Sequence, residues 1–474
     1  MSLLVFRTFS IDVRSLAVLR IILALLVLGD LGYRAGDLVT FYSDDGVLPA
    51  SLWNQIYPVS LRWSIHLLNG SELYQSLMFL LSIVFALCLL VGFETRVAAI
   101  LSWLFLSSLH NRNPMVLNGG DTYLRVVLFF SLFLPLGEVL SIDQRRSGKK
   151  TFANMASFAL LTQIAGIYLF SVMLKSGRQW LPDGTAVYFA LSRETVTTHL
   201  GSLWRQAPLP VHQLLTYGTL LIEVLGPLFL FIPFHSGRWK ILGMGLLALL
   251  QLGFMVSIRM LGLFPLVSIG VLSAFLPSEF WDKLLPKING LGSSLASSDS
   301  RLTPAHRNRI LFSNVFVFFL IACTLIENVS TIKYFPRPSW LTHMLHFFQL
   351  KQYWGMYSPE PSRTDYQYRV LGTVSIGSTL SFRLDGTRSL PSDTVKETYK
   401  NSRWRNYIPH LHRESLEIRN TYFHYLCKQI RADRQIPRSA FYIDFFKDEF
   451  VNERGGVSRL VNSSQMAHLT CRPW

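Results

Sequence analysis

The chain has 474 residues, a net charge of +16 and 50% hydrophobic against 16% charged residues. Its apolar residues are gathered into long runs instead of being mixed along the chain, which excludes an ordinary water-soluble globular enzyme and points to membrane. Nothing resembles a nucleic-acid module, so the positive charge is read as facing lipid headgroups or an acidic polypeptide, with no nucleic-acid partner.

In chain order, the first apolar run is Ser15 to Gly29, interrupted by Arg20. It has no small-residue cleavage site and leads into more membrane sequence, so it is read as a span and not a signal peptide. Asp30, Arg34 and Asp37 follow at helical spacing, and the turn-rich loop Phe41 to Pro49 carries Asp44 and Asp45. That pair reads as acid or base, or as helix caps. Tyr74 to Phe93 and Val97 to His110 are the next runs, and the loop Asn111 to Asp121 after them packs Asn111, Asn113, Asn118 and Asp121 among glycines and an arginine. Polar density there exceeds what a connection needs and suggests a pocket wall. Val126 to Leu140 precedes the basic cluster Arg145, Arg146, Lys149 and Lys150.

The run Thr151 to Leu174 is chargeless and ends at Lys175, with Trp180 close behind. An amine at the rim of a hydrocarbon slab can be desolvated to a neutral base, or it can snorkel to water as an anchor beside an interfacial tryptophan; both readings stand. Leu214 to Phe234 contains Glu223, and opposite charges at membrane depth suggest a structural ion pair of Arg20 with Glu223. Ile241 to Ile258 and Leu261 to Pro277 flank Arg259 so closely that they imply a tight hairpin or re-entrant element, and Ile310 to Ile326 is the last run. The expectation is an α-helical polytopic integral membrane protein of about nine spans over residues 1–328. Lysine and arginine placement puts the N-terminus in the cytoplasm and the C-terminal region outside.

Residues 329–474 read as a soluble, outward-facing α+β domain with 21 lysines and arginines against 12 acidic residues. Tyr366 to Val374, Thr379 to Leu384 and Phe441 to Phe446 read as strands, the first two around a glycine turn, and Glu414 to Arg434 as an amphipathic helix. Asn289 to Ser300 reads as a linker. The four cysteines make no metal pattern, and no metal is expected. Cys427 and Cys471 fall in the outer domain, where an oxidising compartment allows them to pair.

The FYSDDGVLP loop, NRNPMVLNGGD, KSGRQW with DGTAVYFALS behind it, IEVLGPLFLF, LGLFPLVSI and KQYWGMYSPEP resemble the bacterial HTTM (horizontally transferred transmembrane) family over nearly the whole chain. That family is related to the vitamin K-dependent gamma-carboxylases of animals, which this chain resembles more distantly and mostly in its membrane part. There a catalytic lysine ends a span with a tryptophan five residues on, as Lys175 and Trp180 do here, and the sixth span carries an aspartate near the place of Glu223. The resemblance implies a lyase in a bacterial inner membrane. In this chemistry the lysine deprotonates reduced vitamin K, a menaquinol-like lipid quinol, and the quinol reacts with O2 to a strong base. That base takes the γ-proton of a protein glutamate, and the carbanion adds CO2. Two positions depart from the animal pattern: Asn113 stands in a histidine slot, and Gln251 or Leu252 stands near the end of the seventh span where relatives carry histidine. The outer domain has no match to the animal propeptide-binding region. A secreted or acidic polypeptide client is one implied partner; the alternative function is a non-enzymatic membrane partner in the export or maturation of a secreted peptide.

Overall fold

The computed structural model describes residues 8–57, 63–143, 150–233, 236–259, 262–284, 304–333, 336–373, 379–390, 393–433, 441–453 and 458–471. The first long helix, α1 (Val13–Ala35), starts at Asp12, whose side chain accepts from the Arg14 backbone. Asp12 also belongs to a short strand, β1 (Ile11–Asp12), paired antiparallel with β2 (Thr151–Phe152). The strand pair sets the starts of α1 and α5 (Met155–Leu174) side by side. Asn154 caps α5, its side chain accepting from Ala156 and Ser157 while Ser157 accepts from the Asn154 backbone.

Between them lie α2 (Glu72–Val91), α3 (Thr95–Arg112) and α4 (Gly119–Ser131). After α5 come α6 (Leu209–Leu230), α7 (Ser236–Ser257), α8 (Phe264–Val271), α9 (Ser278–Leu284) and α10 (Pro304–Ile332). Six of these, α1, α2, α5, α6, α7 and α10, contain stretches long and apolar enough to cross a membrane, and a seventh is reached if the pair Phe264–Phe275 and Ser278–Leu284, bent by 89°, is one broken span. Exposed Leu73, Leu77, Leu80, Val84 and Leu87 make one face of α2 an apolar stripe suited to lipid. The chain is a membrane-embedded, multi-pass helical protein followed by a C-terminal sheet region.

Against the expected nine spans, about six or seven helices among the described residues are long and apolar enough to cross a membrane. The run Val126 to Leu140 does not form one helix: α4 ends at Ser131, and turns carrying Pro135 and Gly137 follow. Its 13 residues reach roughly 20 Å against the roughly 30 Å of a hydrocarbon core. Every α4 residue from Tyr123 to Ser131 is buried, so this helix is covered by protein, and α3 beside it ends in buried His110, Asn111 and Arg112.

After α11 (Ser339–Phe347) the C-terminal region is built on a four-stranded antiparallel sheet in the order β4-β3-β5-β6. Its strands are β3 (Thr364–Thr373), β4 (Thr379–Phe382), β5 (Phe441–Val451) and β6 (Arg459–Cys471), with α12 (Ser402–Leu411) and α13 (Leu416–Ala432) between β4 and β5. Alternating burial along β3 and β5 puts Tyr368, Val370, Ile443 and Phe445 against α13 residues such as Tyr422 and Phe423. A disulfide joins Cys427 on α13 to Cys471 at the end of β6. Sequence reasoning reached β3, β4, part of β5 and α13; α12 and β6 went unrecognised. The glycine turn between the first two strands and the linker Asn289 to Ser300 lie outside the described residues.

Candidate functional site

Lys175 caps the C-terminus of α5, its N–H donating to the Val172 carbonyl. In a helix the Cα–Cβ bond leans toward the N-terminus, so a long side chain at the last position can fold back over the preceding turn. It does so here. The amine donates to Ser171 Oγ at 2.9 Å and to Glu223 Oε2, and it sits 5.0 Å from the Trp180 ring centre. Ser171 lies 3.4 Å from the other Glu223 oxygen. Only 2% of the Lys175 side chain and 3% of the Glu223 side chain are exposed. The amine therefore folds back over the last turn of α5 and is sealed from solvent.

The segment after Lys175 is held by the loop that precedes β3. Gly177 donates to the Pro359 carbonyl at 2.8 Å, Trp180 Nε1 to the Tyr357 carbonyl at 3.0 Å, and Gln179 N–H to Glu360 at 3.3 Å. A Cβ at Gly177 would fall 2.6 Å from Glu360 Cβ, so this close approach needs glycine. Trp180 is fixed in place over the amine by that clamp.

Lys175 and Trp180 lie in the wall of an apolar cavity of about 610 Å³ between α6, α7 and the Ala186–Leu191 helix. Leu214, Ile222, Phe254 and Leu191 supply much of the lining, and the buried Tyr357 hydroxyl has no hydrogen-bond partner among the described residues. The arrangement offers one proton held between an amine and a carboxylate, at the edge of a mostly apolar cavity. With the proton on the amine it is a buried salt bridge; with the proton on Glu223 the amine is a free base.

The pairing of Arg20 with Glu223 expected from sequence is not what forms. The β1–β2 pairing sets α1 and α5 starting together, so Arg20, seven residues into α1, is roughly 10 Å along, whereas Lys175 is a full helix of about 30 Å away at the other end of α5. Arg20 instead donates to the carbonyls of Leu136, Leu90 and Leu140, at helix and turn ends on that opposite side. Gly92, in the left-handed conformation that ends α2, makes room for it: a Cβ there would lie 2.3 Å from Arg20 Nη1.

Of the residues expected to support Lys175, only Trp180 lines its cavity. The other two loops do meet each other. Asn113 Nδ2 donates to the Phe41 carbonyl at 3.0 Å, Arg112 to the Leu48 carbonyl at 2.7 Å and to Asp44 at 3.4 Å. Asp44 also accepts from the Ala50 N–H, Asn111 donates to the Trp63 carbonyl, and exposed Asp45 faces Lys428 at 3.5 Å. Their polarity is used in holding loop backbone, and not in walling the cavity at Lys175.

Asn118 and Asp121 form a capping box at the start of α4, and Asp121 continues into a second buried constellation. Arg34 donates to Asp30 at 2.7 Å and to Asp121 at 2.6 Å, while Arg403 of α12 donates to both carboxylates. His110 Nδ1 lies 3.2 Å from Arg125 Nη1, and its Nε2 lies 3.8 Å from each carboxylate. Ligand atoms of Asp30, His110 and Asp121 fall within 4.8 Å of one another, close enough for a cation. All four carboxylate oxygens nevertheless accept from Arg34, Arg403 or the Asn118 N–H, so the donor set is already charge-compensated. This cluster fastens α12 to α1 and α4. Its sequence signal was the helical spacing of Asp30 and Arg34; nothing local marked Arg403. Of the two positions named at the seventh span, Gln251 is buried and donates to the Tyr168 hydroxyl at 3.4 Å, whereas Leu252 is exposed on the apolar surface.

Comparison with known proteins adds little to this geometry. No family model matches the chain, and no solved structure matches it. An uncharacterized protein, YitO of Bacillus subtilis (strain 168), is 27% identical over 162 residues, which is 32% of this chain. The match spans 52% of that relative's length.

Proposed function

We propose that this protein is a membrane enzyme in which Lys175, with Glu223, removes a proton from a lipid quinol lodged in the apolar cavity. The reading extends to a gamma-carboxylase-like reaction on protein glutamate, with reduced vitamin K, O2 and CO2 as co-substrates. The observation that carries it is an amine turned back into the slab, paired with one carboxylate, at the wall of a cavity lined by leucine, isoleucine and phenylalanine. These residues fit an apolar quinol: Leu214, Ile222 and Phe254 would flank its ring and tail, and the partnerless Tyr357 hydroxyl would donate to a ring oxygen. When bound, the quinol supplies the oxygen-dependent base strength that a lysine alone lacks. Glu223 would carry the proton the pair shares and so leave the Lys175 amine free to take the quinol proton, Ser171 holds the amine on line, and Trp180 covers it.

The cytoplasmic N-terminus, outward C-terminal domain and bacterial inner membrane belong to this proposal, supported by the basic loops and by a disulfide suited to an oxidising compartment. A second reading has its own observation: the Lys175–Glu223 pair is fully hydrogen-bonded, as in a structural ion pair of a non-enzymatic export or maturation partner.

Lys175→Arg separates the two. Arginine keeps the charge beside Glu223 but does not surrender its proton at working pH. The enzyme reading expects a folded variant that no longer consumes oxygen with added menaquinol and no longer adds the mass of carbon dioxide to glutamates of envelope proteins. An active Lys175→Arg protein removes Lys175 from the chemistry and leaves the structural reading.

A further inference from the structure

A second cavity, of about 760 Å³, lies where the outer half of α1 and the start of α8 meet the outer domain. Its two ends differ in chemistry. Leu25, Leu26 and Leu266 form the membrane end, and Arg259, Lys396 and Arg405 stand at the other. It shares no lining residue with the Lys175 cavity.

The cavity also borders three cations that are already neutralised. Arg383 is held by Asp393, Lys400 by Asp37, and Arg403 by Asp30 and Asp121. Arg259, Lys396 and Arg405 have no such carboxylate among the described residues. Arg405 is 8% exposed, its Nε has no acceptor among the described residues, its Nη2 makes one long contact of 3.4 Å to the Lys396 carbonyl, and its guanidinium lies 5.8 Å from the Tyr399 ring centre. A buried guanidinium with an idle donor is costly unless an anion completes it. Two acids lie nearby: Glu397, which also lines the cavity and accepts from the Thr394 N–H, and Glu194, which lies 3.9 Å from Arg205 and attracts Lys396 from a distance. Burial and the positive charge of Arg259 push both Lys396 and Arg405 below their ordinary values, as expected where like charges converge on an empty centre.

We propose that this cavity is a binding site for an anionic phospholipid, its phosphate held by Arg259, Lys396 and Arg405 and its acyl chains lying on Leu25, Leu26 and Leu266. The occupant is a lipid and not a soluble phosphate because the apolar end is built from a helix long and apolar enough to span the bilayer, so chains reach it from the leaflet. Bound there, the lipid bridges α1, the segment after α7 and the α12 region of the outer domain, adding to the contact already made by Arg403.

The test uses the full chain in neutral maltoside micelles, with dioctanoyl-phosphatidylglycerol, dioctanoyl-phosphatidylcholine and sn-glycerol 3-phosphate as probes in native mass spectrometry. Phosphatidylglycerol should bind in preference to phosphatidylcholine. Arg259→Ala with Lys396→Ala, at the less buried positions, should weaken its binding roughly thirtyfold, the weight of two basic residues at a lipid surface. Lys428→Ala, which removes a surface cation elsewhere, should leave binding unchanged and controls for net charge. Equal binding of the two lipids, or unchanged affinity in the double variant, would overturn the proposal. Glycerol phosphate binding as tightly as phosphatidylglycerol would also overturn it, by assigning the site to a free phosphate ester. If the double variant does not fold, the wild-type lipid preference alone decides.

Discussion

Removing one member of the buried Lys175–Glu223 pair should destabilise the protein by stranding the other. In Lys175→Met, Glu223 keeps only Ser171, at 3.4 Å, and is 2% exposed. A carboxylate so stranded takes up a proton instead of staying charged. Holding neutral at pH 7 a carboxyl that ionises near 4.3 in water costs about 1.36 kcal/mol per pH unit, or about 4 kcal/mol. That loss is present above about pH 4.3, where the unfolded carboxyl is charged, and fades as pH falls to it. In Glu223→Gln the stranded group is the buried amine, and removing one partner of a buried pair costs about 3 to 5 kcal/mol. The double variant should lose less than the sum, because neither charge remains to be stranded. Unfolding followed in detergent at pH 5, 7 and 9 reads all three. Additive losses with no pH dependence would show that water or another group reaches both side chains and that the pair is not sealed.

Gly92→Ala should cost about 2 kcal/mol or more, since it forces a left-handed backbone on alanine and drives a methyl toward Arg20 Nη1, and an unchanged melting temperature would show that Arg20 is not held as described. His66, buried in a turn outside the apolar spans and 2.8 Å from Ser108 Oγ, is depressed to about 3 by burial and by nearby Arg112. Stability it supports is complete above pH 6.5 and falls by about 2 kcal/mol between pH 7 and pH 5, as the unfolded state gains the proton first. That slope should flatten in His66→Asn, measured by the same unfolding assay. Reporter fusions after Gly148 and after Gly455 should report opposite compartments; the same compartment for both would break the proposed orientation.

The membrane character of the chain was legible in its sequence because burial in hydrocarbon is decided by local composition: a long stretch without charge has few other places to go. Strands β3 and β5 were legible for a related reason, since alternation of residues such as Tyr368 and Val370 with polar neighbours is itself the pattern of a half-covered sheet. Lys175 stood out because a cation at the end of a chargeless run is expensive wherever it goes. Its partner could not be read in the same way. Arg20 and Glu223 both lie within apolar runs, but composition says nothing of depth, and the two-residue pairing of β1 with β2 is what sets Arg20 at one end of the helices and Lys175 at the other. The same limit applies to Asp121, Asp44 and Asn113, whose polarity was plain while its use in holding Arg403, Arg112 and the Phe41 carbonyl was not. A charge in a low-dielectric interior must find a partner, and sequence declares that need locally; which partner answers it depends on helix depth, rotation and neighbours, and those exist only once the chain has packed.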